Sequence, residues 1–174
     1  ARQSSCLECI FGQFSNQSRA LVCFSCQPGQ YQPLRGETGC LGCPAGSFSG
    51  SPAQSACALC RTGQFAQFNG TSQCSDCAPG SFAALPGQTL CTECSPGFYQ
   101  GNPAQSECFS CQPGRSMAYS NATACAECAP GSYQFFSQQT NCTACPLGSY
   151  QQDAGKTGCL LCDPGQFQNA TNAT

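Results

Sequence analysis

At 174 residues the chain has room for one or two ordinary domains, yet 20 residues are Cys, Trp and His are absent, and Met117 is the single Met. That cysteine density marks a disulfide scaffold, not a conventional apolar core. Six basic and eight acidic residues leave a net charge of −2, which excludes the basic footprint of a nucleic-acid binder, and no apolar run approaches the roughly 20 residues of a membrane span.

In chain order, residues 1–5 fit the end of a preceding repeat, with Ser4 on a column that later copies fill with Ser or Thr. From Cys6 onward a C-x-x-C pair recurs every 17 residues, ten times, with no insertion or deletion. The repeats are 6–22, 23–39, 40–56, 57–73, 74–90, 91–107, 108–124, 125–141, 142–158 and 159–174. They use all 20 cysteines, and no composition break marks an internal domain boundary. The chain lacks a signal peptide, and Thr174 falls on the same Ser/Thr column as Ser4, so it is read as an excerpt of a longer array.

Within each repeat the seventh position is Gly in all ten copies, and Pro precedes it in six. Pro at i+1 and Gly at i+2 specify a type II turn. The ninth position is Phe or Tyr in nine copies (Phe14, Tyr31, Phe48, Phe65, Phe82, Tyr99, Tyr133, Tyr150 and Phe167), with Ser116 the exception. These rings are read as mini-core residues against neighbouring disulfides. Phe11, Phe24, Phe68, Phe98, Phe109, Tyr119, Phe135 and Phe136 lie off this column, and some are candidates for lateral contacts. The second half of each repeat is a polar loop rich in Gln, Ser, Asn and Thr, expected to face solvent. No stretch sustains a helical period, and strand runs are three or four residues at most. The expected fold is therefore small, disulfide-rich and mostly irregular with short β-strands, a linear solenoid-like rod of ten tandem repeats.

Three readings of the cysteines are open. The spacing C-x2-C-x13-C-x2-C is close to that of a zinc ribbon, but paired zinc sites would impose an alternation of repeats, and none is visible. A redox C-x-x-C needs one tuned motif on a βαβ scaffold, not ten copies on none. Structural disulfides are preferred, and they could close within each C-x-x-C or between consecutive pairs. The second choice closes loops of about 15 residues, worth roughly 3 kcal/mol each in the chain-entropy model. It would join Cys9–Cys23, Cys26–Cys40, Cys43–Cys57, Cys60–Cys74, Cys77–Cys91, Cys94–Cys108, Cys111–Cys125, Cys128–Cys142 and Cys145–Cys159. Cys6 and Cys162 would then pair outside the chain. Sequence leaves the connectivity open.

N-x-[ST] sequons occur at Asn16, Asn69, Asn121, Asn141, Asn169 and Asn172, all in the polar half of the repeat. With the cysteines they are read as N-glycosylation sites of a secreted or cell-surface protein. Asn141 has Cys142 inside its sequon, and Asn169 and Asn172 compete for one glycan. Acids inside C-x-x-C turns (Glu8, Asp76, Glu93, Glu127) are too few per repeat for a calcium cage and are read as solvated. With no His and only Lys156 as lysine, no acid–base or nucleophilic constellation can be assembled, so neither an enzyme nor a cofactor is expected beyond covalent glycans.

The consensus C-x-x-C-x-P-G-x-[FY]-x6-[ST]-x resembles the ephrin-receptor-like cysteine-rich repeat and is similar to the first loop of tumour-necrosis-factor-receptor modules. Such repeats occur in receptor ectodomains, matrix proteins and the surface or flagellar-hair proteins of protists and algae. The resemblance implies a disulfide from the cysteine before the turn to the next cysteine. It departs from receptor patterns in its strict period, which favours a uniform array. The expected function is a structural glycoprotein that builds or coats an extracellular fibre, by self-association or with sister chains. The alternative is the stalk or ligand-binding ectodomain of a receptor or adhesin. A ligand site should break the repeat, and the breaks are Ser116-Met117 with Tyr119, and Arg19-Ala20-Leu21-Val22.

Overall fold

The turn half of each repeat sets the architecture. In a computed structural model that describes residues 6–174, Gly97 has φ +84° and the Phe98 N–H donates to the Ser95 carbonyl at 3.0 Å. These are the φ and the hydrogen bond of a type II turn, with Pro96 and Gly97 at its centre. The expected tail of a preceding repeat, residues 1–5, lies outside the described residues.

Each of the first nine turns launches a two-residue strand, which pairs antiparallel with the two residues inside the next C-x-x-C. Gln13–Phe14 pairs with Phe24–Ser25, Tyr99 lies opposite Phe109, and Arg115 lies opposite Glu127. Nine such pairs form nine separate two-stranded sheets, and there is no helix among the described residues. Strands this short cannot stand alone. Beside each pair a disulfide spans 14 residues in sequence. The bonds are Cys9–Cys23, Cys26–Cys40, Cys43–Cys57, Cys60–Cys74, Cys77–Cys91, Cys94–Cys108, Cys111–Cys125, Cys128–Cys142 and Cys145–Cys159. Cys6 and Cys162 are unpaired.

The chain divides into two compact units, one running to Cys77 and including Ala83–Cys91, the other made of Ala78–Phe82 and Thr92–Thr174. In the first unit the turn glycine donates to the tenth position of the following repeat: Gly12 to Gln32 (2.9 Å), Gly29 to Ser49 (2.7 Å) and Gly46 to Ala66 (2.8 Å). The tenth-position N–H donates onward to the fifteenth position of the next repeat, as Gln32 does to Gln54 at 3.0 Å. The fourteenth-position N–H donates back to the buried cysteine of the repeat before, as Ala53 does to Cys26 at 2.9 Å. In the second unit the same three ladders run from Gly80 to Gln100, from Gln100 to Ala122 and from Asn121 to Cys94, and they continue repeat by repeat. Backbone groups that would otherwise be orphaned in so irregular a fold are thereby paired with a neighbouring repeat.

The core is correspondingly thin. Its constant members are the second cysteines of the pairs, from Cys9 to Cys145, all buried, with Ala66 and Ala83 beside them. The column aromatics are only half-buried, and Phe167 is exposed. They meet the second residue of the next C-x-x-C across the strand pair. Two rings classed as off the column, Phe24 and Phe109, thus face Phe14 and Tyr99 at 6.0 and 6.1 Å between centroids.

Candidate functional site

The residue that opens the polar loop does not face solvent. Gln100 is fully buried, and Gln32, Gln134 and Gln151 are nearly so. All four occupy the tenth position and make one repeated clamp. Gln100 Nε2 donates to the Glu107 carbonyl at 2.8 Å, while its Oε1 accepts the Asn102 N–H at 3.0 Å. Gln32, Gln134 and Gln151 do the same with Gly39 and Leu34, Asn141 and Phe136, and Gly158 and Asp153. Burying an amide is tolerable because both of its ends are satisfied. The expectation of a wholly solvent-facing Gln/Ser loop is therefore corrected at this column. Buried Ser47, Ser81, Ser132 and Ser149 are satisfied in a similar way, each Oγ donating to the carbonyl that begins its turn.

Three acids of the C-x-x-C turns have partners across the strand pair or from a later loop. Asp76 accepts from Gln64 Nε2 at 2.8 Å, Glu127 pairs with Arg115 at 2.6 Å, and Glu93 accepts from Ser120 Oγ at 3.2 Å. These contacts are exposed and add little stability each. Eighteen sulfurs are committed to disulfides. Among the described residues, no group of three or more His, Cys, Asp or Glu is placed to hold a metal ion, and no helix is long and apolar enough to cross a membrane.

All six sequon asparagines, Asn16, Asn69, Asn121, Asn141, Asn169 and Asn172, are exposed. Their backbones are held in place. Asn121 and Asn172 adopt φ +59° on the fourteenth-position column, and their N–H groups donate to Cys94 and Cys145. Asn69 Oδ1 accepts the Ala45 N–H at 2.9 Å.

The break at repeat seven has a local consequence. Ser116 replaces the column aromatic, its strand partner is Ala126, and its Oγ lies 3.3 Å from Cys142 Sγ. The other break, Arg19 to Val22, lies in a loop where Leu21 is 97 % and Val22 63 % exposed. Arg19 itself adopts φ +64°, which places it on the same column as Asn121 and Asn172.

This geometry defines a class of protein: small modules, each closed by one disulfide and one turn, stacked in tandem through backbone hydrogen bonds. Residues 131–174 match the family model for tyrosine-protein kinase ephrin type A/B receptor-like sequences. The turn, disulfide and strand pair of that segment recur along the rest of the ladder, which supports an ephrin-receptor-like cysteine-rich repeat protein. No curated protein matches the chain. Family and fold are those of non-enzymatic ectodomain repeats, and nine disulfides point to an extracellular or cell-surface location.

Proposed function

We propose that the chain is a secreted, N-glycosylated structural protein, a stiff disulfide-stapled element that builds or coats an extracellular fibre by associating with copies of itself or sister chains. The observation that carries this reading is the uniformity of the inter-repeat ladder. In each unit every junction uses the same disulfide, strand pair and backbone bonds. A structure in which each repeat contacts its neighbours through identical bonds resists extension without needing a large core. Its surface carries few charges to oppose association and displays exposed apolar side chains such as Leu41, Leu59, Phe135, Phe136 and Leu161. Glycans on the exposed sequon asparagines, with Asn169 and Asn172 sharing one, would keep the remaining surface solvated.

A second reading, the stalk or ligand-binding ectodomain of a receptor or adhesin, is favoured by the receptor-like family matched at residues 131–174. Electron microscopy of native, glycosylated protein at rising concentration separates the two. Filaments with an axial repeat commensurate with the 17-residue unit are expected. Particles that remain separate at every concentration overturn the fibre reading in favour of the ectodomain.

A further inference from the structure

Nine repeats carry Phe or Tyr at the ninth position, and repeat seven carries Ser116. Across the strand pair the partner is Ala126, so a hydroxymethyl faces a methyl where Tyr99 faces Phe109 one repeat earlier. Beside this position lies an open depression of about 380 Å³, lined among others by Ser116, Met117, Tyr119, Ala126, Thr140 and Asn141. Its lining combines apolar side chains, one aromatic ring and the polar groups of Ser, Thr and Asn.

Two features of the lining identify its occupant. The first is Tyr119, 78 % exposed, with no ring or cation partner among the described residues. Phe24 packs on Phe14, Phe109 on Tyr99, Phe135 on Phe136, and Phe11 lies under Arg35, while Phe68 and Phe167 are exposed without such a partner but do not line this depression. The second is Asn141, which begins the sequon Asn141-Cys142-Thr143. Its carbonyl is held by Gln134 Nε2 at 2.7 Å, and its neighbour Cys142 is bonded to Cys128. The backbone that carries the Asn141 side chain is thus held in place.

A pyranose has an apolar C–H face that packs on aromatic rings and a hydroxyl edge that seeks polar groups, which matches a depression lined by one aromatic ring together with Ser, Thr and Asn side chains. We propose that this cleft seats the first N-acetylglucosamine of an N-glycan on Asn141, with Tyr119 as the wall it packs against. The inference rests on the N-glycosylation reading above. The attachment itself breaks the C1–O bond of a lipid-diphosphate-linked oligosaccharide and forms a C1–Nδ2 bond, with Nδ2 giving up a proton and the lipid diphosphate leaving. The role of the cleft is to hold the transferred sugar. Seated in this way, the glycan covers the one place where the aromatic column is interrupted.

The test uses the full chain secreted from a eukaryotic host with disulfides intact, after mass-spectrometric mapping of occupancy at all six sequons. Peptide-N-glycosidase is applied under native conditions, and contacts of the Tyr119 ring with the N-acetyl methyl are read by nuclear Overhauser spectroscopy. The expected result is slow release at Asn141, accelerated several-fold by Tyr119→Ser with release at Asn169 unchanged. The ring–methyl contact is lost in Tyr119→Ser and in Thr143→Ala, which removes the Asn141 sequon, and is kept in Thr123→Ala, which removes the Asn121 sequon. An occupied Asn141 with no ring contact and an unaltered release rate overturns the seat while leaving the glycoprotein reading intact. So does a contact that vanishes in Thr123→Ala and persists in Thr143→Ala, or an Asn141 left bare while other sequons are filled. Six bare sequons overturn both.

Discussion

The carbonyl of Gln138, in repeat eight, lies where a side chain on Gly97, in repeat six, would have to be. Gly97 therefore answers two demands, a left-handed φ of +84° in its turn and the close approach of a backbone two repeats on. Its N–H also donates to Met117 at 2.8 Å, and its carbonyl accepts from Cys111 at 2.9 Å, so one residue ties its own repeat to the next.

Gly97→Ala is accordingly expected to cost about 1–3 kcal/mol from φ alone, and more from displacing Gln138. Because repeat arrays do not unfold as one unit, the measurement is local amide exchange. The Gly97 and Cys111 N–H groups should exchange much faster, while those of the Cys145–Cys159 loop hold. Gly158→Ala, at a glycine with no neighbour within reach of a Cβ and an ordinary φ, should stay within about 0.5 kcal/mol of the parent.

Much of this was open to reading from the residues. A 17-residue period without indels announces stacked units, and an invariant glycine preceded by proline announces a turn with φ > 0. A second left-handed column, at the fourteenth position, was not. Gly36, Gly70, Gly87 and Gly155 occupy it, but so do Arg19, Ala53, Ala104, Asn121, Gln138 and Asn172, all with φ between 57° and 64°. Most of these N–H groups bond the buried cysteine carbonyl of the preceding repeat, as Ala104's column neighbours Asn121 and Gln138 do. That tertiary bond holds the conformation whatever the side chain, so it leaves only a weak mark in composition. The buried glutamines were hidden for a related reason. Gln is ordinarily a surface residue, and only the pairing of both amide ends, seven and two residues away, reveals that this column points inward.

The glutamine clamp gives a second prediction. Gln100→Leu keeps much of the volume but strands the Glu107 carbonyl and the Asn102 N–H, each of which costs about 1–3 kcal/mol if left unsatisfied and buried. The Asn102 amide should lose protection, with the loop that precedes Cys108 loosening alongside it. Gln112→Ala, at an exposed glutamine outside the clamp, should leave both unchanged.

Removing one staple tests how local the stability is. Cys94→Ser with Cys108→Ser releases a loop of about 15 residues, whose closure is worth roughly 3 kcal/mol. Exchange protection should fall at Asn121, whose N–H donates to Cys94, and at neighbouring amides, yet persist at Asn172, which donates to Cys145. Full reduction should abolish protection throughout. A strong chelator should change nothing, since the sulfurs of the nine bonds offer no thiolates to a metal.

The fibre reading makes its own demand on Phe135 and Phe136. These rings stand edge to face with centroids 5.1 Å apart, 63 % and 65 % exposed, beside a cleft of about 590 Å³ that also involves Tyr133 and Leu161. Such a pair stays exposed at a cost unless something covers it, and a second copy of the chain is the cover that association would supply. Replacing both with Ser removes apolar area without touching a disulfide or the backbone bonds of Gln134, and should leave amide exchange in repeats eight and nine nearly unaltered. The concentration at which filaments form, followed by light scattering and electron microscopy, should rise severalfold. Unchanged assembly would mean that copies meet through another face, with Leu41 and Leu59 the next residues to replace, since they are exposed on strands paired across successive junctions.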